Sequence, residues 1–456
     1  MATQKKPRNP DHVRRHNVPS PATAALTARL NDLVKPAVFS QLALYRALGL
    51  RDRLLGLPLM VALVLTLLWR QVPEVCELTR LLAREDLLWA HATSVSQQAL
   101  SDRFLGFPYQ LFQAILGELV PRLHARWQAR TRPLPPAVVV TQCHFPRIWI
   151  VDGSTLEALF RKLDSVRVQP PGVLLAGKIC TIIDLATRLP QQIFYTPDSG
   201  THDTQFGPDL RAFVPAGTLL VFDRGFYAFS FFDALIAKQV ALLTRLTSNA
   251  RFAVQTVLQQ TPTVMDRIIV VQTTTDGLAV THAPLRLIEA RYKGQWYRYI
   301  TSVLDPAVLP AAYAVELYRR RWRIEESFLF VKRVLGLAYL WVGSENGVLL
   351  QVWATWLFYA VLLDLGDAVA EELARPFDDL SLEMVFRGIY HYSVAAAQGK
   401  ADDLVKYLAA AENADLGVVK RKRSLPREGG SSRSPPPPPN LAPIPLPTSL
   451  TNWKSA

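Results

Sequence analysis

The sequence predicts a mixed α/β sheet domain set between helical segments, and three observations carry that prediction. Between Arg147 and Pro197 three strand-like runs follow one another: RIWIVDGSTL, GVLLAGKICTIIDLATRLP and QQIFYTP. Consecutive runs of this kind pair as neighbours. Next comes an alternation of helix, strand, helix and strand, through His202–Val214, TLLVFDRGF, FYAFSFFDALIAKQVA and LLTRLTSNA, which is the pattern of a mixed sheet. On either side, apolar residues recur at helical spacing.

Residues 1–35 are polar, basic and Pro-containing, and read as a disordered basic arm. His12 and His16 have helical ligand spacing there but no acidic partner, and read as solvated. Residues 36–130 predict a helical domain through LNDLVKPAVFSQLALYRALGL, LPLMVALVLTLLWRQ and PYQLFQAILGELVPRLHARW. Within it, Ser96 is placed to cap a short helix reaching Asp102 and Arg103, preceded by another near Val75–Ala83. Two short helices with a tight link would form a helix-turn-helix with Gln97, Gln98 and Arg103 towards DNA. A plain helical bundle satisfies the same text. TRPLPP at 131–136 marks a boundary, and residues 137–400 form the main domain.

In that domain, Asp152 and Asp223 each close an apolar strand, where α/β sheets tend to place ligand groups. Neighbouring strands would make the two carboxylates converge; the alternative use of each is to cap a turn. Arg224 would touch DNA or pair with Asp223. His202-Asp203 would cap the helix they open, with a position near the site as their alternative use. Residues 248–303 are rich in β-branched and aromatic residues, with turn signals at Asp276-Gly277 and Lys293-Gly294, and predict a β-rich insertion. Pro306–Ala314 returns to helix. It leads into YRRRWRIEESFLFVK, Tyr318–Lys332. On one continuous α-helix, Tyr318, Arg321, Glu325 and Lys332 share a stripe about 60° wide. A carboxylate there suits a divalent cation, and the basic groups suit the phosphates it works on. The same stripe also describes a solvated basic helix with surface ion pairs. Glu326, about 100° away, is expected to face solvent or to be salt-bridged.

Further helices follow at Val348–Leu365, Leu380–Tyr392 and 401–417. Residues 418–456, with KRKR and a five-Pro run, read as a disordered basic Pro-rich tail. The apolar runs Leu54–Trp69 and Val348–Leu363 fall short of a membrane span and predict core helices. Lys+Arg of 51 against Asp+Glu of 38 leaves +13, which favours a polyanionic partner, nucleic acid first. Cys76, Cys143 and Cys180 are odd in number and far apart, which excludes a disulfide framework and Cys-based zinc spacing. A reducing cytoplasm fits.

Tyr318-x₂-Arg321-x₃-Glu325-x₆-Lys332 resembles the Tyr-Arg-Glu-Lys signature of DDE transposases of the insertion-sequence-four type. IVDGSTLEAL, LLVFDRGFY and YRYITSVLDP extend the resemblance over residues 90 to 400. It implies a ribonuclease-H-like fold with a β insertion before the catalytic Glu. It implies a catalytic and metal-binding triad of Asp152, Asp223 and Glu325, taking two Mg²⁺ or Mn²⁺ ions with DNA bound. Tyr318, Arg321 and Lys332 would hold phosphates, and Trp296 would stack a flipped base, with core packing as its alternative use. The implied partners are double-stranded DNA, both transposon end and target, and a second copy of the chain, with no membrane; the implied location is cytoplasmic and nucleoid-associated. A nuclease of the same fold, an inactive relative and an architectural DNA-binding protein remain alternatives.

Overall fold

The computed structural model describes residues 22–51, 53–72, 75–156, 177–247, 250–275, 278–337 and 344–420. The basic arm up to residue 21 with His12 and His16, the Asp276-Gly277 turn and the tail from 421 lie outside the described residues. In chain order the helices α1–α7 are Ala24–Leu33, Lys35–Ser40, Leu42–Ala47, Leu57–Arg70, Val75–Arg84, Gln97–Gly106 and Gln110–Ala129. Then follow α8 (Pro136–Gln142), β1 (Arg147–Thr155), β2 (Lys178–Asp184), β3 (Pro190–Thr196), α9 (Gly207–Phe213), β4 (Thr218–Phe222), α10 (Phe229–Ala237) and β5 (Ala241–Arg245). The strands β6–β10 are Phe252–Gln260, Val264–Thr275, Leu278–Thr281, Leu285–Tyr292 and Gln295–Thr301. The last helices, α11–α15, are Ala311–Arg320, Arg323–Arg333, Glu345–Glu372, Leu382–Ala397 and Leu404–Ala409.

These elements form two compact units. The sheet unit holds Leu134–Thr155 and Lys178–Ser327; the helical unit holds the described residues up to Pro133 and from Phe328 to 420. The boundary falls inside α12.

In the sheet unit, ten strands form one sheet in the order β3-β2-β1-β4-β5-β10-β9-β7-β6, with β8 on β7. β2 and β3 run antiparallel beside β1. β4 and β5 run parallel to β1. The β-rich insertion is not a separate layer. β10 pairs antiparallel with β5, so the insertion lengthens the same sheet. Strand alternation sends Trp149 and Val151 to one face, where they pack with Leu210 of α9 and Phe232 of α10. Ile148, Ile150 and Asp152 take the opposite parity; α8 packs on β1, and α11 packs on α8, β4 and β5.

The helical unit is built on α13, which packs against α4, α6, α7, α14 and α15. At 28 residues α13 is longer than the sequence reading allowed, and it is long and apolar enough to cross a membrane. Its apolar stretch is wholly buried within the protein, as a core helix requires.

Two expectations fail in this unit. The disordered arm is too long: α1 forms at Ala24–Leu33 because Leu26, Leu30 and Leu33 recur on one face and are buried. The helix-turn-helix is absent from the described residues. Ser96 does cap α6, accepting from the N–H of Ala99 at 3.1 Å. Yet α5 ends at Arg84, so residues 85–96 separate the two helices, too many for a tight turn. Arg103 does not project outward: it donates to the Leu55 carbonyl and the Tyr45 hydroxyl at 3.1 and 2.8 Å.

Candidate active site

β1 and β4 pair in parallel, and the last matched pair is Val151 with Phe222. Asp152 and Asp223 are the next residues on each strand, so the register sets them side by side. Asp152 does not close its strand, contrary to the sequence reading. β1 runs on to Thr155 because Asp152–Thr155 pair with Thr181–Lys178 of β2. What ends at this level is β4. Each carboxylate is held by a nearby glycine amide: Gly153 N–H donates to Asp152 Oδ1 at 2.8 Å, and Gly225 N–H to Asp223 Oδ1 at 2.6 Å.

The third group arrives across a break. The continuous helix expected over Tyr318–Lys332 is two helices, α11 and α12, joined at Arg321 and Trp322. The amides of Arg321, Trp322 and Ile324 bond three residues back, to Tyr318, Arg319 and Arg321, and this tighter winding interrupts the α-helical hydrogen bonding. Arg321 at the junction is buried, and its guanidinium donates to Asp152 Oδ2 at 2.6 Å. The same nitrogen lies 3.7 Å from Glu325 Oε1. Arg321 therefore stands between carboxylates from β1 and α12. Its charge is set over the rings of Tyr318 and Trp322, each 5.9 Å from the guanidinium.

Burial pushes the Asp152 carboxyl well above the ordinary range; Arg321 pulls against that, while Asp223 and Glu325 add to it. Burial alone would weaken the charge on Arg321, but Asp152, Tyr318, Asp223 and Glu325 together hold it on. Burial also raises the Tyr318 phenol, so it stays a hydroxyl donor near neutral pH. Tyr299, whose ring lies 5.2 Å from that of Tyr318, is pushed up to about 12 by burial.

Among the described residues no group of three or more His, Cys, Asp or Glu side chains stands ready to hold a metal ion. At Asp152 the cation is the chain's own guanidinium. The donor chemistry nonetheless suits a hard divalent ion, since three carboxylates are the oxygen ligands Mg²⁺ prefers. The protein already places a positive group between two of them.

Of the other candidates, Arg224 is exposed, directly after Asp223. Trp296, on β10, is 38% exposed and so is not a core residue. Lys332 falls in the helical unit, with Nζ 5.8 Å from the centroid of the Phe328 ring. Glu326 is salt-bridged to Arg323, at 2.8 and 2.9 Å, and so stands apart from the carboxylate group.

Asp203, which the sequence offered as a helix cap or as a group near the site, lies beside both aspartates. His202, not Asp203, caps the turn that precedes α9, accepting from Thr204 N–H. The Asp203 carboxylate instead reaches Gly153 and Gly225, where an added Cβ at either position would collide with it. Lys178 pairs with it at 2.7 Å. The signal lay in the two glycines, Gly153 directly after Asp152 and Gly225 two residues after Asp223.

Residues 144–361, the segment that carries the three carboxylates, match the family model of the transposase DDE domain. The protein y4zB of Sinorhizobium fredii (strain NBRC 101917 / NGR234), provisionally named a transposase, is 25% identical over 194 residues. That alignment covers 42% of this chain and 54% of y4zB, so the chain spans about half the length of that curated relative. A cryo-EM structure of the piggyBac transposase synaptic complex with hairpin DNA is 12% identical over 91% of this chain and 90% of that one, at a TM-score of 0.41.

Proposed function

We propose that the chain is a DNA transposase that cleaves transposon ends and joins their 3′-hydroxyls to target DNA. The observation that carries this reading is the meeting of Asp152 and Asp223, adjacent in register, with Glu325 across Arg321, inside the segment that matches the transposase DDE domain. Strand order β3-β2-β1-β4-β5, antiparallel then parallel, supports a ribonuclease-H-like core. The Tyr318-Arg321-Glu325-Lys332 spacing supports the insertion-sequence-four type.

Asp152, Asp223 and Glu325 would hold divalent ions, Mg²⁺ or Mn²⁺, which supply an activated hydroxyl and a stabilised leaving oxygen. The chain's own residues do the rest. Gly153 and Gly225 amides fix the two aspartates before DNA arrives, so little reorganisation is left for the reaction. Arg321 neutralises Asp152 in the free protein, and would be released to a phosphate oxygen if the carboxylates held an ion instead. Tyr318 donates its hydroxyl to the same phosphate. Exposed Trp296 offers a ring face to an unpaired base. A dimer engages two ends at once, in the cytoplasm at the nucleoid.

The test is Mg²⁺-dependent cleavage of a duplex carrying the inverted repeats that flank the gene, and joining from pre-cut ends. Asp152→Asn, Asp223→Asn and Glu325→Gln are each expected to abolish cleavage while DNA binding persists. Single variants that cut like the parent would overturn the assignment. Cutting without joining would make the protein a nuclease of the same fold.

A further inference from the structure

Asp203 lies outside the three carboxylates, yet it touches the backbone that holds two of them. Its Oδ1 occupies the place a Cβ on Gly153 would take, with Cγ 2.8 Å and Lys178 Cε 3.1 Å from that point. Its Oδ2 stands in the same way over Gly225, where Asp223 Oδ1 is 2.8 Å from the would-be Cβ. Gly153 and Gly225 are the two residues whose amides bind Asp152 and Asp223. One carboxylate thus wedges both amide donors. It approaches from the face opposite to Asp152, since Gly153 has the other strand parity. The wedge is itself held. Lys178 Nζ lies 2.7 Å from Asp203 Oδ1 and donates to the Thr201 carbonyl at 2.7 Å. The pair is mostly buried, at 12% and 19% side-chain exposure. Burial at this level limits screening and keeps the ion pair oriented.

We infer that Asp203, clamped by Lys178, is a positioning residue for the Asp152–Asp223 pair, and that Gly153 and Gly225 are glycine because that carboxylate fills their side-chain space. This inference rests on the reading of Asp152 and Asp223 as ion ligands. Groups that orient ligands typically change metal affinity by about 10–100-fold when removed.

The experiment is Mn²⁺ binding to the full chain, the metal alone, by titration calorimetry, with thermal unfolding run in parallel. Asp203→Ala is expected to weaken Mn²⁺ by about tenfold or more with little change in Tm. Asp203→Asn, which keeps the volume but not the charge, is expected to fall between. Gly153→Ala alone is expected to lose Mn²⁺ affinity, because its Cβ displaces Asp203. Gly153→Ala combined with Asp203→Ala is expected to lose no more than Asp203→Ala, because both act on one slot. A lower Tm with unchanged Mn²⁺ affinity in Asp203→Ala, or strictly additive losses in the double variant, would overturn the inference. Asp152→Ala and Asp223→Ala separate the two readings. If they abolish Mn²⁺ binding and Asp203→Ala does not weaken it, only the role of Asp203 falls. If the parent shows no binding that these two variants remove, the ligand assignment falls and the inference with it.

Discussion

Asp364 of α13 carries three guanidinium groups on one buried carboxylate: Arg29 and Arg130 at 2.6 Å and Arg126 at 3.1 Å. Burial works to raise this carboxyl, but Arg29, Arg130 and Arg126 outweigh it and hold it below the ordinary range. A depressed carboxyl contributes stability above the unfolded value, about 3.9, and loses it as pH falls through the lower native value. Urea unfolding below about pH 4 is therefore expected to show falling stability, with a shallower acid limb in Asp364→Asn. At pH 7 the same variant is expected to cost about 3 kcal/mol or more, since it leaves buried arginines short of a partner. Trp296 sets the opposite case. Trp296→Ala removes an exposed ring, and is expected to change stability by about 0.5 kcal/mol or less. On the proposed function it impairs processing of transposon ends; parallel melting and cleavage assays check both. Sequence alone pointed to Asp152, Asp223 and Glu325, since an acid beside apolar strand text or in a basic stripe is a local signal. Asp203 was legible as a helix cap or a group near the site, but its wedge was not, because its partners Lys178, Gly153 and Gly225 come from three separate segments.

At the scale of elements, the strands β1–β5 were readable because buried strands are short, apolar and bounded by turn residues. The junction between α11 and α12 was not. YRRRWRIEESF has no Pro or Gly to mark a break. The turn tightens at Arg321, whose guanidinium reaches Asp152 on a strand 169 residues earlier. The fate of the β-rich insertion was equally hidden. Periodicity shows that strands exist but not which edge they join, and β10 adds to β5 through pairing far along the chain. Arg286 of β9 ties this extension down. It is fully buried, bonds Asp266 of β7 through two nitrogens, one at 2.8 Å, and donates to the Leu309 carbonyl at 2.6 Å. Arg286→Ala is expected to destabilise by about 3–5 kcal/mol, because it strands a buried carboxylate. Replacing both partners with apolar residues of similar size is expected to cost less; thermal unfolding of the single and paired variants decides it.

Across the whole molecule, the charge of +13 bears on partners rather than on fold. If six to ten phosphates are contacted, duplex affinity is expected to fall by about 10³-fold or more between 50 and 200 mM salt. Asp152→Asn is expected to keep that salt slope to within about one unit, since it releases only Arg321 from its pair; fluorescence anisotropy at several salt concentrations measures both.

The sequence by itself determined the mixed α/β class and the alternation of helix and strand. Those follow from short-range patterning, where periods of two and of about 3.6 residues select strand or helix. Tertiary structure decided that Asp152 runs mid-strand, that Arg321 sits on it, and that Asp203 wedges the glycines behind. Each of these depends on strand register and on side chains far apart along the chain, and neither is encoded in any local window.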